Sequence, residues 1–132
     1  MERGAKLAPM RERKPGVEEI VTSQEPFQRI DVHEAHRRQA DGATLIDCRE
    51  ADEYAEGHAA GAPLIPHMSV FQRAGEVETI AGGKDQPVMF ICKSGGRSAV
   101  ASEFAAAAGF SDLYNVEGGT DAWIEAGLPI ER

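Results

Sequence analysis

The stretch PVMFICKSGGRS, residues 87–98, decides the fold. Its first five residues are the most apolar run in the chain and lead directly into Cys92. A short, continuous apolar run of this kind is the pattern of a strand buried on both faces, as in a parallel sheet. Lys93, Ser94, Gly95 and Gly96 then read as a turn. Residues 97–108 (RSAVASEFAAAA) are rich in alanine, the strongest helix former, with Gly109 placed to cap the end. Cys92 therefore falls at the carboxyl end of a central strand, where open α/β sheets bind their ligands.

Working outward, residues 27–31 suit a first strand and 32–39 (VHEAHRRQ) a polar helix stopped at Asp41-Gly42. Residues 44–48 (TLIDC) form a second compact strand, and 50–56 a short helix ending at Gly57. The segment 57–66 (GHAAGAPLIP) is rich in Gly and Pro, with Leu64 and Ile65 as a brief strand, and 67–74 reads as another short helix. Residues 75–86 (GEVETIAGGKDQ) are polar and glycine-rich, the composition of a connection over the surface. Beyond the central helix, 113–116 (LYNV) is a strand and 119–126 a last helix capped by Gly127. Strands alternating with helices predict an α/β domain with a mainly parallel central sheet of about five strands, flanked by helices on both faces.

Composition narrows the class. A chain of 132 residues with 42% hydrophobic content can bury roughly two-thirds of its unfolded surface in one core, so it needs no metal or disulfide staple. No apolar run approaches the ~20 residues that span a bilayer, which argues against a membrane partner. Two cysteines, Cys48 and Cys92, make no disulfide framework and suit a reducing, cytoplasmic setting with a working thiol. The net charge of −8 is split unevenly. Residues 1–16 carry five cations against Glu2 and Glu12, whereas the remainder carries nine cations against twenty carboxylates. An acidic body is a poor partner for nucleic acid. The basic leader lacks the apolar core of a secretory signal, and its glutamates and lack of serine argue against a transit peptide. Residues 1–22 are expected to form a flexible tail and 23–132 the folded domain.

The chemistry concentrates around Cys92. Glycines after a strand let successive N–H groups turn toward one point, and the following helix aims its positive end there. The product is an anion cradle. A cysteine in that field, beside Lys93 and Arg97, gives up its proton more readily than a free thiol. An isolated cysteine after a strand is more commonly a small packed apolar side chain, but packing alone requires neither two glycines nor a cation.

The segment Cys92-Lys93-Ser94-Gly95-Gly96-Arg97-Ser98 resembles the active-site loop of the rhodanese (thiosulfate sulfurtransferase) family, in its single-domain form. Further resemblances follow in order: Leu45-Ile46-Asp47-Cys48-Arg49 at a strand end, Glu53 with Gly57-His58 and Gly61-Ala62, and Asn115-Val116-Glu117-Gly118-Gly119 with Trp123 and Gly127-Leu128-Pro129. The likeness covers about residues 28–131. It implies a rhodanese-like fold and a sulfurtransferase without metal or organic cofactor. Cys92 would take a sulfane sulfur from thiosulfate or a similar donor as a persulfide, then pass it to cyanide, a cellular thiol or a sulfur-carrier protein. It implies that loop N–H groups from Lys93 to Ser98 stabilise the persulfide, that Arg97 holds anionic oxygens of the donor, and that Lys93 adds to the field. Asp47, Arg49 and His58 become structural residues near the site.

Several features carry less. Cys48 stands where the family usually has Val and is expected to fill space, with a resolving thiol as the sharper alternative. His33 and His36 share a helix without a further ligand motif and suit a solvated face. Gly82-Gly83-Lys84 lacks a Walker pattern and reads as a turn. Trp123, Val100, Phe104 and Phe110 are expected in the core. Cysteine phosphatases have a similar loop with one more residue between Cys and Arg. Here four intervene, and the next position is Ser98, so phosphate ester hydrolysis is disfavoured. The competing functions are a non-catalytic binding module and a dithiol redox or arsenate-type enzyme using Cys48 with Cys92.

Overall fold

A computed structural model describes residues 24–132; the basic segment 1–22 lies outside them. Four parallel strands make the central sheet in the order β1-β5-β4-β2: β1 Gln28–Ile30, β2 Thr44–Asp47, β4 Val88–Ile91 and β5 Leu113–Val116. Between β2 and β4 lies the two-residue strand β3, His58–Ala59, and a last strand β6, Ile130–Glu131, pairs with it antiparallel. The helices are α1 Val32–Ala40, α2 Ala51–Glu56, α3 Ala74–Ala81, α4 Gly96–Ala107 and α5 Gly119–Glu125.

All four residues of β4 are buried, which explains the absence of alternation in its sequence. Val88 and Phe90 face one layer, with Val77 of α3 and Ala101 and Ala105 of α4. Met89 and Ile91 face the other, with Val32 and Ala35 of α1 and Trp123 of α5. One sheet thus separates two cores, and helices cover both faces. Register fixes the site: β2 and β4 pair from Thr44 opposite Val88 to Asp47 opposite Ile91. The Cys48 amide continues the ladder by donating to the Ile91 carbonyl at 2.9 Å. Cys48 and Cys92 consequently share one layer at the carboxyl edge.

Four local expectations need correction. Residues 75–86 are not wholly a surface connection, because Ala74–Ala81 form α3. This helix buries Val77 alone, too little apolar periodicity to show in sequence. The segment 67–74 is not one helix: a single 3₁₀ turn, His67–Ser69, is followed by turns that lead into α3. The brief strand at Leu64 and Ile65 is reduced to one bridge, Leu64 with Asp47, which adds a fifth position beside β2. Val100 is 38% exposed and points away from the core, whereas Phe110 is buried and Phe104 packs at the core edge. No described helix is long and apolar enough to cross a membrane.

Candidate active site

The chain leaves β4 at Ile91 and enters α4 at Gly96, so residues 92–95 must reverse direction in a single tight loop. Gly95 makes this possible. Its φ of 120° lies where side chains with a Cβ are strained, and its amide thereby points back to the Cys92 Sγ at 3.0 Å. One turn into α4, the buried Ser98 hydroxyl donates to the same sulfur at 3.3 Å. The Ser98 carbonyl in turn accepts from the Ser102 hydroxyl at 2.8 Å.

These donors decide the charge on Cys92. The residue is only 1% exposed, and burial pushes its thiol up. Hydrogen bonds from the Ser98 hydroxyl and from the amides of Ser98, Gly95 and Ser94 outweigh that effect and hold the thiol below its ordinary value. Cys48 shows the contrast. It is fully buried, with its Sγ on the Ile91 carbonyl at 3.4 Å, and burial followed by the neighbouring Cys92 pushes its thiol well up. Two cysteines in one layer therefore differ in character: hydrogen bonds favour the ionised form of Cys92, and burial favours the neutral form of Cys48.

The loop is fixed from outside as well. The first amides of α5 bind its backbone, Thr120 N–H to the Cys92 carbonyl at 2.7 Å and Asp121 N–H to the Lys93 carbonyl at 3.1 Å. The Asn115 amide reaches the Gly95 carbonyl at 3.2 Å. A Cβ on Gly119 would lie 2.4 Å from the Lys93 carbonyl oxygen, so the last helix can approach this closely only through glycine.

The cations next to Cys92 are both engaged by carboxylates. Arg97 makes a two-armed pair with Glu53 at 2.8 and 2.9 Å, and Lys93 meets Asp121 at 2.8 Å. Glu53 is held down to about 2 by the Arg97 hydrogen bonds and by the Glu50 amide. Ser94 and Gly96 lie exposed on the loop's outer side.

Asp47, Arg49 and His58 lie below and beside this loop. Asp47 is fully buried, and Arg49 binds both its oxygens, with Nη2 at 2.8 Å from Oδ2 and Nη2 also on the Gly57 carbonyl at 2.8 Å. The pair thus joins the end of β2 to the turn after α2. His58 stacks on Tyr54 with ring centroids 3.6 Å apart, and its Nδ1 lies 2.9 Å from the Tyr54 carbonyl. His36 meets Trp123 edge-on. Among the described residues no group of three or more His, Cys, Asp or Glu side chains is placed to hold a metal ion.

The sequence drew attention to residues 92–98 as a contiguous loop; the structure brings the Gly95 amide and the Ser98 hydroxyl to the Cys92 sulfur and turns the Lys93 and Arg97 side chains to carboxylates instead. It did not reveal the Ser98 hydroxyl as a donor to that sulfur, the Glu53 grip on Arg97, or the support from Asn115 and α5. Hydroxyl direction depends on the helix register after Gly95, and the other partners lie 20 to 44 residues away along the chain.

Comparison with known proteins agrees with this architecture. Two curated relatives named thiosulfate sulfurtransferase GlpE are similar to the chain. The protein of Pseudomonas paraeruginosa is 35% identical over 98 residues, 74% of this chain and 84% of that one. The protein of Actinobacillus pleuropneumoniae is 35% identical over 108 residues, 81% and 95%. Among solved structures, a rhodanese-related protein from Thermoplasma volcanium superposes with a TM-score of 0.67 at 30% identity, covering 80% of this chain and 98% of its own. A family model described as rhodanese-like domain matches residues 31–126, a span that holds the Cys92 loop, both strands beneath it and the helix that supports it, and the chain belongs to that family.

Proposed function

We propose that the protein is a sulfurtransferase that carries sulfur on Cys92. The observation that carries this reading is the convergence of the Gly95 amide and the Ser98 hydroxyl on one buried sulfur, at 3.0 and 3.3 Å. Donors fixed in advance stabilise negative charge wherever it sits during the reaction, on the thiolate at the start and on the persulfide afterwards.

The Cys92 thiolate attacks the outer sulfur of thiosulfate or a similar sulfane donor. The sulfur–sulfur bond of the donor breaks, its electron pair leaves with sulfite, and Cys92 holds the outer sulfur as a persulfide anion. An acceptor nucleophile, cyanide or a thiol, then attacks that outer sulfur, and the Cys92 thiolate departs. Charge and atoms balance in both halves, and no metal or redox partner takes part. The relatives named thiosulfate sulfurtransferase support this choice of chemistry.

Turnover with thiosulfate and cyanide tests it. Thiocyanate should form with the wild type and with Cys48→Val, and fall to background with Cys92→Ser. Turnover that survives Cys92→Ser would overturn the assignment.

A further inference from the structure

The chain has two cysteines, and the sulfur transfer proposed above uses one. The other, Cys48, is fully buried at the carboxyl end of β2, the strand beside β4. Asp47 stands opposite Ile91 in the parallel ladder, and the Cys48 amide extends that ladder to the Ile91 carbonyl at 2.9 Å. Cys48 and Cys92 are therefore the next facing pair. Neighbouring strands lie about 4.8 Å apart, inside the span of about 4.4–6.8 Å between Cα atoms that a disulfide requires. Both side chains enter the same layer of the core, so they point to one face of the sheet. The charge on Cys92 is felt at Cys48, where it adds to burial in pushing that thiol up.

The two flanks of the Cys92 sulfur are occupied differently. α4 packs against β4 and β5, and the donors to the sulfur come from the Gly95 amide at its start and from Ser98 in its first turns. β2 lies on the other side of β4 and brings Cys48 along that flank.

Resting on the Cys92 persulfide proposed above, we infer that Cys48 is a resolving thiol, which discharges a persulfide that no acceptor collects. With the outer sulfur among the loop donors, the inner sulfur turns its back to Cys48. The Cys48 sulfur gives up its proton and attacks that inner sulfur, Sγ of Cys92. The bond between Sγ and the outer sulfur breaks, its electron pair leaves with the outer sulfur, and that sulfur takes the proton and departs as hydrosulfide. A Cys48–Cys92 disulfide remains. The sulfane sulfur is reduced and the two cysteines are oxidised, so no outside oxidant is needed; an external dithiol restores both thiols by exchange. Burial favours the neutral form of Cys48, which attacks slowly and leaves the persulfide time to meet an acceptor. One intermediate thus has two outputs, transfer when an acceptor is present and sulfide release when none is.

The test loads the full chain with thiosulfate and, in parallel, with cysteine persulfide, removes the donor by desalting, and follows intact mass and free sulfide without an acceptor. In the wild type the species heavier by one sulfur atom should give way to one lighter than the starting chain by two hydrogens, as hydrosulfide appears in equal amount. Tryptic mapping without reduction should join residues 39–49 to residues 85–93. Cys48→Val and Cys48→Ser should keep the added sulfur at least about tenfold longer and release no sulfide on the wild-type timescale. Cyanide added after loading should suppress the disulfide in the wild type. An added sulfur that lasts as long in the wild type as in both variants, or a disulfide that joins Cys92 of two copies and spares Cys48, overturns the inference and leaves the Cys92 persulfide standing. No gain of sulfur from either donor in any of the three proteins, with no disulfide formed, overturns both.

Discussion

The Ser98 hydroxyl distinguishes the two buried thiols. Cys92 and Cys48 occupy the same layer, and both are buried. Only Cys92 has a hydroxyl and loop amides aimed at its sulfur, and its thiol is lowered while that of Cys48 is raised. The sign of the pH dependence follows. A lowered thiol ionises early, so Cys92 reactivity should rise with pH and level off below the range in which an ordinary thiol titrates. Removing the Ser98 donor withdraws a hydrogen bond to a charged group, worth about 1.5 kcal/mol or more. Ser98→Ala should therefore slow alkylation of Cys92 by iodoacetamide about tenfold at neutral pH and move its pH–rate curve to the alkaline side. An unchanged curve would mean that the amides alone set the thiolate. At this scale the sequence was informative about types but not about directions. Cysteine, glycines and arginine could be read from 92–97 because they are contiguous, whereas the Ser98 hydroxyl and Glu53 acquire their roles only after helix and loop are placed.

Among the elements, the last helix braces the loop, a role the sequence reading gave to no element. The amides that open α5 hold the carbonyls of Cys92 and Lys93, and Gly119 provides the clearance with φ of 59°. Gly119→Ala would drive a Cβ to within 2.6 Å of three backbone atoms of Cys92 and Lys93. Unfolding in urea should show a loss of about 3 kcal/mol, and sulfur loading should fall with it. Gly127→Ala serves as the comparison. It also has positive φ, at 75°, but meets nothing within 4 Å, so its cost should stay near about 1 kcal/mol. Similar losses for the two variants would contradict a special role for the α5 approach. Strands β2, β4 and β5 and helix α4 could be read in sequence, because continuous apolar runs or an alanine-rich stretch mark them, and α1 from the Asp41-Gly42 stop that ends it. α3 could not, with one buried residue among polar neighbours, and β3 with β6 is a two-residue pairing whose partners lie far apart in the chain.

For the molecule as a whole, one sheet presents its carboxyl edge, and buried polar contacts tie the surrounding loops to it. The buried Asp47–Arg49 pair is one of these ties, since it fastens β2 to the turn that carries Gly57 and His58. Arg49→Met would leave the Asp47 carboxylate buried without its partner, and a loss of about 3–5 kcal/mol in urea unfolding is expected. Asp47→Asn together with Arg49→Met should recover part of it, because the stranded charge is gone. The acidic surface also gains a meaning beyond solubility. Arg97 and Lys93, the cations on either side of the glycine turn, are both paired with carboxylates. That arrangement could not be read from composition, which counts cations without showing which carboxylates hold them.

The central claim is that Cys92 carries the transferred sulfur as a covalent persulfide. Intact mass of the full chain after incubation with a sulfane donor tests it most directly, with thiosulfate and cysteine persulfide in parallel. The account predicts a gain of one sulfur atom from at least one of the two donors, located on Cys92, retained in Cys48→Val, absent in Cys92→Ser, and removed by cyanide. No adduct from either donor, or an adduct that persists in Cys92→Ser, would contradict it.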